Sequence, residues 1–145
     1  MTRAVRSRLI FDDHERIAAW AASRIKHFAG WGSAPKGIGY ELGGQIRGAV
    51  IYHNFTAANV FASIAMDAPI TRRFLYAIFF VPFQQWRVRH ISCAIEESNI
   101  DSMRLCSRLG FTVEGRMRES AINAEDVILM GMLKRECAWL GIKVV

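Results

Sequence analysis

The stretch Asn99-Ile100-Asp101-Ser102-Met103-Arg104-Leu105-Cys106-Ser107-Arg108-Leu109-Gly110-Phe111-Thr112-Val113-Glu114-Gly115 decides how this chain folds. The Asn99 side chain is suited to accept a hydrogen bond from a free N–H of a helical first turn. Ser102, Leu105, Cys106 and Leu109 recur on one face at helical spacing. Gly110 suits the left-handed residue that ends a helix, and Phe111 opens an extended run. The segment therefore reads as a short capped helix, a glycine stop and a strand.

Working outward, residues 88–96 are apolar and rich in β-formers, which predicts a central strand. Before it, Phe74, Leu75, Ile78, Phe79, Phe83 and Trp86 make a broad helical stripe that Thr71 is placed to cap. Pro82 must bend that helix or end it early. Residues 37–42 and 45–54 read as strands flanking Gly43-Gly44, a dipeptide suited to a two-residue hairpin turn. In a third strand, Asn59–Met66, one face carries Val60, Ala62, Ile64 and Met66. The small residues Ser63 and Ala65 on the other face allow close approach. Residues 6–11 alternate weakly as a first strand. Asp12 or Asp13 offers the next helix cap, with Asp12-x-x-Glu15 in the form of a capping box. Ile17, Trp20, Ala21, Ile25 and Phe28 then predict a helix to about Phe28. Downstream, strands over 111–120 and 127–137 flank a turn at Asn123-Ala124-Glu125. The order β-α-β-β-β-α-β-α-β-β, with no repeat or linker, predicts one domain over residues 1–145. Its class is α/β (α+β), a mixed sheet of hairpins and helical crossovers.

Bulk properties agree with a folded domain. The 145 residues are 52% hydrophobic and 11% aromatic, which is enough for a core and excludes a disordered chain. Nineteen basic against thirteen acidic residues give +6. That charge suits a phosphorylated cofactor, a nucleic acid or an acidic protein, and equally an ordinary positive surface. Nucleic acid ranks last, because no aromatic-basic platform or recognition helix accompanies the charge. Cys93, Cys106 and Cys137 are odd in number and lack C-x-x-C spacing, which argues against a disulfide framework or a zinc site. They suit a reducing compartment. The longest apolar run, residues 74–83, is too short to span a bilayer. The basic N-terminus runs into Phe11-Asp12-Asp13-His14-Glu15 and not into an apolar segment. A cytoplasmic protein without a membrane partner is expected. His14, His27, His53 and His90 lack partners at metal or catalytic spacing along the chain, so surface or satisfied positions are expected for them.

The string N-x-x-S-x-x-L-C-x-x-L-G-F-x-x-E-G resembles the helix-to-strand segment of the GNAT superfamily of acyl-CoA N-acyltransferases. The element order is similar to that fold from about Ile10 onward. Arg116-x-Arg118, Asp126 and Met132-Leu133-Lys134-Arg135-Glu136-Cys137 resemble a branch acting on ribosomal-protein N-termini, with phage-borne relatives. The resemblance implies a splayed sheet of about six or seven strands flanked by helices, with acetyl-CoA as cosubstrate and no metal. The pantetheine arm would enter between the strands at 59–66 and 88–96, with its diphosphate at the helix starting near Thr71. Arg72 and Arg73 would add cations there.

Residue by residue, the resemblance implies that backbone N–H groups around Ile64, Ala65 and Met66 polarise the thioester carbonyl. Thr71, Arg72, Arg73, Asn99 and Ser102 would contact the cofactor. Cys106 stands where many members place a tyrosine acid, and Ser102 is an alternative donor to the leaving thiolate. Glu114 would meet the substrate amine, or merely line the sheet. Residues 66–73 contain no glycine, where the family usually carries a Gly-rich loop. The implied function is acetyl transfer to a primary amine, on a peptide or a small molecule, by direct attack in a ternary complex. The alternative is a GNAT-like binding or structural module without catalysis, motivated by the missing glycines and tyrosine. Trp139 and Leu140 are expected to pack on the core or to form a contact in a homodimer.

Overall fold

Gly43 and Gly44 both take positive φ, 60° and 83°, the pair of left-handed residues that a two-residue hairpin needs. They join two of the seven strands in the computed structural model, which describes residues 5–25, 28, 30–32 and 34–141. The elements are β1 (Ser7–Ile10), α1 (His14–Ala22), β2 (Lys36–Leu42), β3 (Gln45–His53), β4 (Asn59–Met66), α2 (Arg72–Phe80), β5 (His90–Glu96), α3 (Ile100–Leu109), β6 (Thr112–Met117) and β7 (Val127–Leu133). This order is the one the sequence predicts. The strands form one sheet in the order β1-β2-β3-β4-β5-β7-β6. Every neighbouring pair is antiparallel except β4 and β5, which α2 joins as a crossover.

The two faces of the sheet are covered differently. On one face α1 packs over β2 and β3 through Ile17 and Ala21, against Ile10, Ile46, Ala49 and Ile51. It lies almost on the backbone, since a Cβ at Gly37 would sit 2.8 Å from Ile17 Cγ2. On the other face α2 and α3 bury Phe74, Phe79, Cys106 and Leu109 against Val60, Ala62, Ile91 and Cys93. Tyr52 is fully buried there, and its hydroxyl donates to the Ile78 carbonyl at 2.5 Å. Burial pushes that phenol well above its ordinary pKa, so it stays a donor.

The local signals of the deciding segment are realised. Asn99 Oδ1 accepts from the Ser102 N–H at 3.2 Å, and Gly110 ends α3 at φ 107°. Thr71 caps α2 by accepting from the Phe74 N–H at 3.1 Å. Pro82 ends α2 early. The helix stops at Phe80, and Val81–Gln85 forms a wider turn in which Trp86 N–H bonds to the Val81 carbonyl.

Several expected boundaries are corrected. Helix α1 ends at Ala22, not near Phe28, because Arg24 and Ile25 bond three residues back and the Ser23 hydroxyl bonds to the Trp20 carbonyl. The apolar residues Ile25 and Phe28 extend the helical spacing beyond the helix itself. Its N-cap is Asp13 with no side-chain cap bond, so the Asp12–Glu15 capping box does not form. Strand β6 stops at Met117, where the Ser120 hydroxyl bonds back to the Met117 carbonyl and Glu119 takes φ 53°. Strand β7 stops at Leu133, whose N–H bonds to the Glu136 carboxylate as Lys134–Glu136 turns. Trp139 packs on the core, with its indole N–H on the Leu109 carbonyl at 2.7 Å. The expectation for His27 lies outside the described residues. No described helix is long and apolar enough to cross a membrane.

Candidate active site

Strand β4 has two different edges. Toward β3 it pairs continuously, from His53↔Phe61 to Gly48↔Met66. Toward β5 it pairs at only three positions, Asn59↔His90, Val60↔Ile91 and Phe61↔Ser92. Strand β5 meanwhile stays paired to β7 over its whole length. Residues 62–66 and 93–96 therefore present backbone edges that no longer meet each other, which is a wedge between two parallel strands. On the face away from α2 and α3 the walls carry the small residues Ser63 and Ala65 on β4 and Ala94 on β5, while Ala62, Ile64, Cys93 and Ile95 face the core. Met66 does not fill the wedge, because its thioether folds over Gly48 on the β3 side.

The closed end of the wedge is fastened twice. Backbone N–H groups of Arg89 and His90 both donate to the Ala58 carbonyl, at 2.9 and 3.1 Å. Side chains add a second clasp. Asn59 Oδ1 accepts from His90 Nδ1 at 2.7 Å and from the Ser92 hydroxyl at 2.9 Å.

At the open end stands the N-terminus of α2. Helix geometry leaves its first N–H groups without intrahelical partners, and Arg72 and Arg73 are exposed beside them. Asp67 is turned away from this end and paired with Arg24 of the loop after α1, at 2.8 Å to Nε and 2.7 Å to a terminal nitrogen. The carboxylate nearest this helix start in sequence is thus neutralised. Ile64, Ala65 and Met66 lie on the unpaired edge of β4, half-buried. Asn99 is engaged as the cap of α3, so its side-chain oxygen already has a backbone partner.

On the helix-covered face of the vertex, Cys106 of α3 meets Cys93, the first β5 residue beyond the last β4 pair. Both are free thiols and both are buried. The side-chain hydrogen bond from Cys93 draws the Cys106 thiol below its ordinary pKa, against burial. The same bond, together with burial, pushes Cys93 well up. Ser102 lies one turn earlier on α3 and is half-buried.

On the opposite face of the same vertex the structure assembles a group that spacing along the chain hides. His90 Nε2 lies 2.9 and 3.0 Å from the two oxygens of Glu114, while its Nδ1 faces Asn59. This corrects the expectation that His90 lacks partners. Glu114 reaches it because β6 bulges there: Val113 pairs with Met130, Gly115 with Leu129, and Glu114 is the extra residue. Gly131 of β7 makes the room, since a Cβ there would collide with both the Glu114 carboxylate and His90 Nε2. With Nδ1 against the Asn59 side-chain oxygen, the second ring nitrogen, Nε2, is the one that faces the carboxylate. No described helix packs over this pair: His90 side-chain exposure is 23% and that of Glu114 is 44%.

Arg116 and Asp126, singled out in the sequence, hold each other at 2.7 Å with Glu97 at 2.9 Å from Arg116, a brace at the end of β6 and β7. His53 contacts the Ser63 hydroxyl at 3.4 Å, and burial keeps its pKa below the ordinary imidazole value.

No family model matches the chain, and no curated protein matches it by sequence. Solved structures do match in fold. A mutant of the spermidine N-acetyltransferase SpeG from Vibrio cholerae superposes with TM-score 0.72 at 14% identity, covering 93% of this chain and 96% of that one. The protein yncA of Salmonella typhimurium, solved with its cofactor acetyl-CoA, gives 0.67 at 18% identity over 91% and 96%. The N-acetyltransferase PseH of Campylobacter jejuni, in complex with acetyl coenzyme A, gives 0.57 at 15% identity over 70% of each chain. A mixed seven-stranded sheet, opened between its parallel strands and flanked by helices, is the GNAT fold.

Proposed function

We propose that this chain is an N-acetyltransferase that moves an acetyl group from acetyl-CoA to a primary amine in a ternary complex. The observation that carries the reading is the vertex of the wedge, with a thiol pair on one face and a hydrogen-bonded carboxylate–imidazole pair on the other. In this reading the pantetheine amides pair with the free edges of residues 62–66 and 93–96 as an added strand would. The diphosphate rests on the first turn of α2, where N–H groups and Arg72 and Arg73 favour an anion. The acetyl carbonyl then lies at the vertex, within reach of backbone N–H groups on the unpaired β4 edge at Ile64 to Met66. Acetyl-CoA bound in the structures of yncA and PseH supports a cofactor of this kind on this fold.

The amine nitrogen attacks the acetyl carbon, and the carbon–sulfur bond breaks. The nitrogen loses its proton to the Glu114–His90 pair on the open face. The leaving thiolate takes a proton from Cys106, with Ser102 as the second donor within the same helix face. Cys93 makes Cys106 the better acid of the two thiols by donating its own S–H to it. Holding amine and thioester together supplies much of the acceleration, because the thiolate is a good leaving group.

Isothermal titration is expected to give micromolar binding of acetyl-CoA, about −8 kcal/mol. A screen of amines should then release free CoA thiol. Binding without release on any amine would favour a catalytically silent CoA-binding module instead. Failure of a folded sample to bind acetyl-CoA would end the transferase reading and leave the fold intact.

A further inference from the structure

The open face of the sheet carries a ladder of rings that the transfer chemistry does not use. Phe28 contacts Trp31 at 4.8 Å between centroids, Trp31 contacts His53 at 5.6 Å, and His53 stacks on Phe61 at 5.8 Å. Trp31 is anchored by its indole N–H on the Ala18 carbonyl at 3.3 Å. Strand register places the ladder relative to the vertex. His53, Phe61, Ser92 and Gly131 are successive partners across β3, β4, β5 and β7, and so form one row on the open face. The Glu114 carboxylate and His90 Nε2 lie over Gly131. Phe61 is therefore one strand from Ser92 and two strands, about 10 Å, from the column of Glu114.

From this row we propose that the acceptor is a primary amine whose carbon next to the nitrogen leads, through a short spacer, into an apolar or aromatic body. This deepens the transferase reading and rests on it. The nitrogen sits over Ser92, between Glu114 and the acetyl carbon. The body turns toward β4 and β3 and lies on Phe61, His53 and Trp31. A phenylethylamine-like molecule and a peptide N-terminus with an apolar first side chain share this chemistry.

Electrostatics separates this acceptor from a polyamine. Burial keeps His53 uncharged near neutral pH, so the ladder is a neutral apolar strip. Two carboxylates on the α1 side are engaged, Glu41 by Arg8 and Arg16 and Asp67 by Arg24. A second ammonium carried along the ladder would lie on ring faces, whose described hydrogen bonds run to the Ala18 carbonyl and the Ser63 hydroxyl and none to a carboxylate. Ring faces retain one aromatic body better than they retain a hydrated second charge.

The test compares kcat/KM for phenylethylamine, a dipeptide with N-terminal phenylalanine, spermidine and ethanolamine, all with acetyl-CoA. In parallel, titration measures binding of phenylethylamine and spermidine to the CoA-loaded protein. Phenylethylamine or the peptide is expected to exceed both spermidine and ethanolamine by about tenfold, mainly through KM. Phe61→Ala should reduce that preference ratio to near unity, and Phe61→Leu should restore part of it. The comparison of peptide with phenylethylamine tells which source of the apolar amine is preferred. Equal or better turnover of spermidine or ethanolamine would overturn the inference and leave the transferase reading standing. Phenylethylamine binding that Phe61→Ala abolishes, without any turnover, would uphold the inference and overturn the transferase reading. Absence of phenylethylamine binding, together with no turnover of phenylethylamine or of the peptide, would overturn the inference.

Discussion

The junction of β4 with β5 behaves differently at its two ends, and the residues at each end explain why. At the closed end, Asn59, His90 and Ser92 bond to one another and two backbone N–H groups share the Ala58 carbonyl. At the open end pairing stops after Phe61↔Ser92, and Ser63, Ala65 and Ala94 put only small side chains on the face away from α2 and α3. Polar side chains hold the vertex, and small ones let the strands part. The lesson is that the split needs no strain. It arises where cross-strand partners stop and the backbone edges are left for a ligand.

If the closed end is where proton transfer happens, its carboxylate should be the most sensitive position in the chain. Glu114→Gln keeps the shape and removes the proton acceptor, so kcat should fall about a hundredfold or more, with acetyl-CoA affinity unchanged by titration. Gly131→Ala tests the same pair indirectly. The added methyl must push aside the Glu114 carboxylate and the His90 ring, so kcat should drop about tenfold while acetyl-CoA affinity measured by titration is unchanged. A Gly131→Ala enzyme of full activity would detach this pair from the chemistry.

The open end should answer to bulk and to charge. Ala94 is exposed on the β5 wall, so Ala94→Trp is expected to leave the fold intact and weaken acetyl-CoA binding about thirtyfold. The pair Arg72→Ala and Arg73→Ala should cost about tenfold in Kd for CoA at low salt, and less as salt is raised. Unchanged affinity in the Ala94→Trp protein would mean that the cofactor does not lie between the strands.

The smallest expected effect concerns the zipped edge of β4. The folded pKa of His53 lies below the unfolded value of about 6.5 because the ring is buried. The unfolded chain therefore binds the proton more readily. His53 contributes no penalty above that pH, and stability is lost as pH falls from about 6.5 toward the folded value. His53→Phe should flatten that acid limb in chemical denaturation curves measured between neutral and mildly acidic pH.

Much of the fold was legible in the sequence because its signals are local. The Asn99 cap, the Gly110 stop, the Gly43-Gly44 turn, the Thr71 cap and the interruption by Pro82 each depend on residues within a turn of one another. The end of α1 was not legible, since Ile25 and Phe28 continue the apolar period after the hydrogen bonds have changed. The candidate site divides in the same way. Ser102 and Cys106 lie on a helix that a motif announces, and Thr71, Arg72 and Arg73 stand at the start of one announced by a cap and an apolar stripe. The Asn59–His90–Glu114 group joins residues 31 and 24 positions apart, through a strand register and a β-bulge that no spacing along the chain reveals. The one faint signal was Glu114 beside Gly115, and a second glycine, Gly131, in the strand that pairs with it.

The most direct test of the central claim is a crystal of this protein soaked with acetyl-CoA. Electron density for the pantetheine arm is expected between residues 62–66 and 93–96, with the diphosphate on the first turn of α2 and the acetyl carbon between Cys106 and Glu114. Density for the cofactor elsewhere on the surface, or β4 and β5 paired along their whole length with no cofactor between them, would contradict it.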